Sequence, residues 1–507
     1  MKKFLSLIAI MLMVAMIAST AVLNAFATDA VTDGESTPAE PDDIPVVEFA
    51  SGTGTELDPY TIATAEQLIG FSAVINNAIT NVDYVGLYYK LTADIDLGGV
   101  VFDPIGGGDN KFSGFFDGDG HTVSNFIVKA NRGGLFGCVD NATIKNVKID
   151  HANIQGEHDG AGGIVGMVGN NGSLTIDNCQ TGANVLITGN AMGDGCMRMG
   201  GIWGNIGTSV VVNASNCVNR AYLLYVNTAR NDAGVGGIGG GIRNGSAVNC
   251  VNLGSIYVEF LGSQTVNAGG IFGITIAPTE LTIENVINGG NVTGWTRGGG
   301  IIGYLHTGKE TTVIKNAYTI TTNYMAYDAI GTVIGALKAS QTATLTNVKY
   351  IEAKDFTDYT IEPVGGTVAA NLTDVVALKS IDELVMDIEY NAILTSLGLD
   401  LPTAPVAPDQ ETLPEVPGLE VPDVPVDTPA DTPADTPVET PADTPVDTPA
   451  DTGDKTEPTT PVTDPVTPGT DPETEKPAEG GCGSVVAGGI AILAVVTLAG
   501  VALKKKD

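Results

Sequence analysis

Seven copies of one short element constrain any fold of this chain. The element reads Gly-Gly-aliphatic-x-Gly and starts at Gly133, Gly162, Gly200, Gly236, Gly269 and Gly299, with a degenerate copy at Gly331-Thr332-Val333-Ile334-Gly335. Successive starts lie 29, 38, 36, 33, 30 and 32 residues apart. A second element follows each copy, an Asn before a small apolar residue, at Asn146, Asn178, Asn216, Asn249, Asn285, Asn316 and Asn347. Uneven spacing around a fixed pattern fits a solenoid, in which insertions enter surface turns while stacked segments keep register. The segments between glycines are too short for helices and rich in Val, Ile and Thr, so they read as strands. The expected fold is all-β, a single-stranded parallel β-helix over residues 48–351.

Such stacking predicts ladders of equivalent residues about 4.8 Å apart. Leu135, Ile164, Ile202, Ile238, Ile271, Ile301 and Val333 form the expected aliphatic ladder. The Asn residues form an expected amide ladder, each bonding to the one above and below. Ile144, Ile176, Ile283, Ile314 and Leu345 stand two positions before their Asn, which places both on one strand face. The glycine pairs read as tight corners with φ > 0. Cys179, Cys217 and Cys250 share the position after the Asn with Val and Ala, and read as small buried hydrophobes. Short helical caps are expected at both ends. One runs from about Ile62 to Ile79, with Thr64 and Gln67 as a capping box, and one lies within residues 378–398, opened by Ser380 and Glu383.

The ends of the chain differ in kind. Lys2 and Lys3, the apolar run Phe4 to Leu23 and Ala25-Phe26-Ala27 read as a signal peptide over residues 1–27, followed by an acidic linker over 28–47. Residues 352–401 are assigned to a C-terminal cap region. Residues 402–479 hold 19 of the 26 prolines, 19 acidic residues and two lysines. Proline every fourth residue forbids helix and interior strand, and like charges stretch the chain. This tract therefore reads as a disordered Pro-rich stalk, spanning roughly 240 Å as extended polyproline II. Val485 to Leu503 is uncharged and precedes Lys504-Lys505-Lys506, which reads as a C-terminal transmembrane helix in a bacterial cytoplasmic membrane, within an anchor or sorting segment over 480–507. Gly480, Gly481 and Cys482, just before it, are candidates for anchoring or processing. The expected location is the cell surface, with the repeat domain outside.

The start of the repeat region carries a family likeness. Gly52-Thr53-Gly54-Thr55-Glu56-Leu57-Asp58-Pro59-Tyr60-Thr61-Ile62 is followed by Tyr89-Lys90-Leu91-Thr92-Ala93-Asp94-Ile95-Asp96-Leu97, then Phe112-Ser113-Gly114-Phe115-Phe116-Asp117-Gly118-Asp119-Gly120-His121, then Gly134-Leu135-Phe136-Gly137. This order resembles the GLUG-motif bacterial surface proteins, which include the repeat regions of immunoglobulin A peptidases and adhesin-like proteins. The likeness covers about residues 48–350. It implies a β-helical surface module without chemistry of its own, and no His-Glu-x-x-His of a metallopeptidase occurs.

Candidate chemistry is sparse. A net charge of −35 excludes a nucleic-acid binder working through a basic patch. Four His and six Cys without zinc-site spacing indicate no structural metal. Gly234-Val235-Gly236-Gly237-Ile238-Gly239 matches a dinucleotide motif, but it lies inside a repeat without the helix and acidic residue that motif needs, so no cofactor is expected. Asp94/Asp96 and Asp117/Asp119 are carboxylate pairs of the type glycoside hydrolysis uses, and also suit turn capping. The turns before the Gly-Gly elements hold Arg132, His158, Asp159, Arg198, Trp295 and Arg297. Of these, Asp159, Arg198, Trp295 and Arg297 are the candidates for binding a glycan or protein ligand. The expected function is non-catalytic adhesion or surface recognition. The rival readings are a tethered polysaccharide-cleaving enzyme and a purely structural wall protein.

Overall fold

The computed structural model describes residues 48–77, 84–107, 110–191, 197–227, 233–260, 265–276, 280–294, 296–306, 312–321, 324–326, 328–338, 342–353, 360–366 and 370–400. The expected signal peptide, acidic linker, stalk and anchor, with Gly480, Gly481 and Cys482, lie outside these residues. Among the described residues, no helix is long and apolar enough to cross a membrane.

The repeats wind into a parallel β-solenoid. Strand pairs between successive coils are parallel throughout, and one sheet stacks the seven strands that begin within the Gly-Gly elements, from Phe136–Val139 to Ile334–Leu337. A second stack runs from Tyr60–Ile62 through Tyr88–Leu91, Phe115–Asp117, Ala142–Lys145 and Ser173–Asp177 up to Asn371–Leu378. Stacking thus continues beyond residue 351, because Asn371–Leu378 adds a further strand to Ala343–Ile351. The aliphatic ladder forms as expected: Leu135, Ile164, Ile202, Ile238, Ile271, Ile301 and Val333 are fully buried. Each such side chain contributes roughly 1.5–3 kcal/mol by leaving water.

Two sequence expectations exchange roles. The ladder Asn residues are not on a strand face: all seven adopt left-handed conformations, with φ between 50° and 57°, and make the corner itself. Asn tolerates that region because its short polar side chain bonds locally. The glycine pairs, conversely, do not have positive φ in any copy of the repeat. They are needed for close approach. A Cβ on Gly270 would stand 2.1 Å from the Gly300 carbonyl oxygen and 2.2 Å from Asn288 Cγ. A Cβ on Gly237 would meet the Gly270 oxygen and Asn252 Cγ at 2.2 Å.

The corner amides do form a ladder, with a direction. Each donates Nδ2 toward the preceding coil: Asn347 to Asn316 (2.9 Å), Asn316 to Asn285 (2.9 Å), Asn285 to Asn249 (3.0 Å) and Asn249 to Asn216 (3.3 Å). At Asn216 the donor goes instead to Asp177 Oδ1, at 2.8 Å. The ladder resumes from Asn178 to Asn146 and ends on the carboxylate of Asp117, both at 2.8 Å. A second, inner ladder was missed at the sequence level. Thr181 donates to Asn219 (2.5 Å), Asn219 to Asn252 (2.7 Å) and Asn252 to Asn288 (2.8 Å), all wholly buried. Its signature is the Asn-x-x-Asn spacing at 216/219, 249/252 and 285/288. The three in-line cysteines are buried and unbridged, and burial pushes the Cys179 thiol up to about 12.

Helix α1, Ala65–Asn77, covers the first coil as expected. It buries Leu68, Phe71, Val74 and Ile75, and Phe71 packs against Tyr89, Phe112 and Phe116. Helix α2, Ile388–Ser396, departs from expectation. It folds back along the flank, where Leu384, Tyr390, Ile393 and Leu394 pack with Val251, Ile287 and Tyr318. The reason is chemical: that flank is apolar over three coils and needs a cover more than the end strand does. The end strand keeps Leu372 and Val376 exposed, at 49% and 42%.

Candidate functional site

Strand register brings the predicted arginines into one column. Arg132 and Arg198 both lie opposite Gly160, and the column continues through Gly234 and Asn267 to Arg297. Their guanidinium groups are engaged with neighbouring strands. Arg132 donates from Nε to Asp159 Oδ2 and pairs with it through Nη2, each at 2.9 Å. Arg198 donates to Asn205 Oδ1 at 2.6 Å, and Asn205 in turn donates to the Asp159 carbonyl, so Asp159 and Arg198 join through one buried amide. Arg297 donates to Asn267 Oδ1 at 3.0 Å, and its guanidinium sits 3.9 Å above the Tyr304 ring. Trp295 lies outside the described residues. The column therefore ties the edges of adjacent sheets, with Arg132 paired to Asp159 and Arg198 and Arg297 held by side-chain amides.

The paired carboxylates serve turns and corners. Asp94 accepts from the Thr122 N–H at 2.9 Å and contacts His121 Nδ1 at 3.2 Å, and the Thr122 and His121 bonds hold its carboxyl below the usual range. Asp96 accepts from the Gly98 N–H and Asn125 Nδ2. Asp117 terminates the amide ladder, accepts from the Asp119 N–H and pairs with Lys145 at 3.2 Å. Burial raises the Asp117 carboxyl, but those bonds outweigh it and the net shift is downward. Asp119 pairs with Lys90 at 3.0 Å. Among the described residues no group of three or more His, Cys, Asp and Glu is placed to hold a metal ion.

The remaining feature is an outward row on the second stack, three residues before each corner Asn. It begins with Tyr88 and Phe115, whose rings stack at 4.1 Å with planes 5° apart. It continues in register through Thr143, Thr175, Asn213, Ser246 and Thr282 to Val313 and Thr344. None of these side chains is charged, and none is buried. The next outward row carries the charges, which pair among themselves: Lys145 with Asp117, and Lys315 with Glu284 at 2.7 Å. A groove crosses three coils of this face, lined by Val211, Asn213, Asn244, Gly245, Ser246, Glu280 and Thr282. Gly245, one of its lining residues, stands in register with the inward-facing Val212 and Leu281, and its φ of 114° suits glycine alone. The row was legible as the residue three before each corner Asn, once the corner was known.

The fold defines the class as a parallel β-solenoid repeat protein. No protein-family model matches the chain. It is 32% identical over 188 residues to halomucin of Haloquadratum walsbyi, covering 34% of this chain and 2% of that protein. It is 32% identical over 142 residues to a "Putative Gly-rich membrane protein" of Evansella cellulosilytica, covering 26% of this chain and 15% of that one. The chain thus spans a small fraction of the curated relatives it matches. A crystal structure of a "putative immunoglobulin A1 protease" from Bacteroides ovatus aligns with a TM-score of 0.43 at 22% identity, over 69% of this chain and 90% of that one.

Proposed function

We propose that this chain is a non-catalytic adhesion or recognition protein held at the cell surface, of the GLUG-motif type. The observation that carries this reading is the uncharged outward row, which from Thr143 to Thr282 repeats one hydrogen-bonding position over five successive coils. Recognition by an extended surface needs such repetition, whereas catalysis needs acid and base groups converging on one point. The four candidate carboxylates are instead dispersed among turn N–H groups, a corner amide and lysines. The names of the two relatives, a mucin-like one and a membrane one, support a surface or membrane location. So do the expected signal peptide, stalk and C-terminal span.

The test presents the purified full chain to polysaccharides, mucin and matrix proteins, scoring binding and chain cleavage together. Binding without cleavage is the expected result. New reducing ends or unsaturated sugars that vanish in the Asp94→Asn, Asp96→Asn, Asp117→Asn and Asp119→Asn variants would favour the enzyme reading. No attachment to any surface would leave the structural wall protein. Protease treatment of intact cells is expected to release the repeat domain by cutting within 402–479.

A further inference from the structure

We propose that the outward row on the second stack is the binding face for a neutral polysaccharide chain lying along the solenoid axis, an inference that rests on the surface-recognition reading above. Charge argues for the class. The whole chain carries −35, yet this row holds no ionised side chain, and the adjacent row neutralises Lys145 and Lys315 against Asp117 and Glu284. A polyanion gains nothing here and meets the field of an acidic protein. A polycation would be drawn to the acidic remainder of the molecule rather than to this strip.

Spacing argues for the orientation. From Thr143 to Thr282, five successive coils place a hydroxyl or amide about every 4.8 Å along the axis, with Ser246 donating to Asn213 Oδ1 at 3.2 Å. A chain of pyranose rings advances by about one coil rise per residue, so one hydroxyl of each sugar can meet one side chain. An extended peptide advances about 3.3 Å per residue and drifts out of register within two coils. Its main-chain bonds also need a sheet edge, and this row stands on a sheet face.

Two places on the face add grip and depth. Phe115, 37% exposed with one ring face covered by the stacked Tyr88, offers an apolar contact to the C–H groups of a sugar. The groove at Gly245 is lined by the amides of Asn213 and Asn244, the hydroxyls of Ser246 and Thr282 and the carboxylate of Glu280, groups that can exchange hydrogen bonds with sugar hydroxyls. Individually these bonds are weak, and their number along a polymer supplies the affinity.

Affinity electrophoresis of the purified full chain tests this with gels containing a neutral glucan, a mannan or a galactan, and with polygalacturonate and mucin for comparison. Retardation by at least one neutral polymer is expected. It should weaken at least tenfold in the Thr175→Lys/Thr282→Lys double variant and in Phe115→Ala, with unchanged melting temperature. Glu157→Lys carries the same charge change at an exposed position off the face and should bind as the parent does. If the lysine variant fails to fold, Thr282→Val keeps the test open, since Val313 already occupies the same row; a two- to fivefold loss is expected there. Retention that ignores the row substitutions overturns the proposal. So does binding to polygalacturonate or mucin with none to neutral polymers, which would leave surface recognition standing. Failure to bind any polymer or any cell surface would sink both.

Discussion

On either side of each corner Asn the same backbone presents an outward side chain, and the two rows meet different surroundings. Three residues before the corner stand Ser246, Thr282 and Val313, open to solvent. Two residues after it stand Val251, Ile287 and Tyr318, buried beneath α2. Register, twist and coil rise are shared, so the backbone does not distinguish the rows. Side-chain chemistry does. An apolar strip of three coils exceeds what a solenoid flank can leave wet, and the chain supplies its own cover. A strip of hydroxyls and amides stays soluble without one.

The comparison breaks most completely if the shared scaffold fails. Gly270→Ala places a methyl against both the Gly300 carbonyl and the inner ladder, and a loss of about 5 kcal/mol or more is expected, read as the absence of a cooperative melting transition. An Ala at Gly86, where nothing lies within 4 Å, should cost far less despite its positive φ. Asn252→Leu comes next. It leaves the buried Asn219 Nδ2 without its acceptor and takes the Asn252 donor from the Asn288 carbonyl, at a cost of about 3 kcal/mol in denaturant titration.

The covered row is sharpened by removing its cover. Tyr318 donates to Asp387 at 3.0 Å and packs on Tyr390, so Tyr318→Ser should free α2 and cost about 2 kcal/mol of hydrogen-exchange protection there, leaving the coils protected. The same contact is acid-sensitive. Burial raises the Asp387 carboxyl, but bonds from Lys349, the Tyr390 N–H and Tyr318 outweigh it and hold it below its ordinary 3.8. A depressed folded-state value contributes stability that is complete well above 3.8 and fades as the pH falls through the folded value. Proteolysis within 380–400 should therefore accelerate only below about pH 4, and Asp387→Asn should remove that pH dependence. If cleavage is as fast at pH 7 as at pH 3, α2 is not latched through this carboxylate. The open row should give the smallest stability effect. Thr175→Ala and Thr282→Ala are expected within about 0.5 kcal/mol of the parent, since nothing of the fold rests on them.

The seven-copy repeat, the aliphatic ladder, the corner amide ladder and the burial of Cys179, Cys217 and Cys250 were legible in the chain, because each repeats at one position of a pattern. The function of the glycines was not. Whether Gly270 supplies a positive φ or a missing Cβ depends on Gly300 and Asn288, residues 30 and 18 positions away, and only stacking brings them within 2.2 Å of where a Cβ would stand. The arginine turns looked like an exposed strip because residue type reports charge and not direction. The neighbouring strand supplies Asn205, Asn267 and Tyr304, which take up Arg198 and Arg297.

By itself, then, the sequence determined the repeat, the inward rows and the stacking, since these follow from local periodicity and the burial of apolar area. Tertiary structure decided which outward row is covered and which is open, where α2 docks, and where the ladder ends on Asp117. Those outcomes depend on distances between groups far apart in the chain. An α2 docked over the end strand would have left Val251, Ile287 and Tyr318 in water. Placed on the flank, it buries them and leaves the threonine row free.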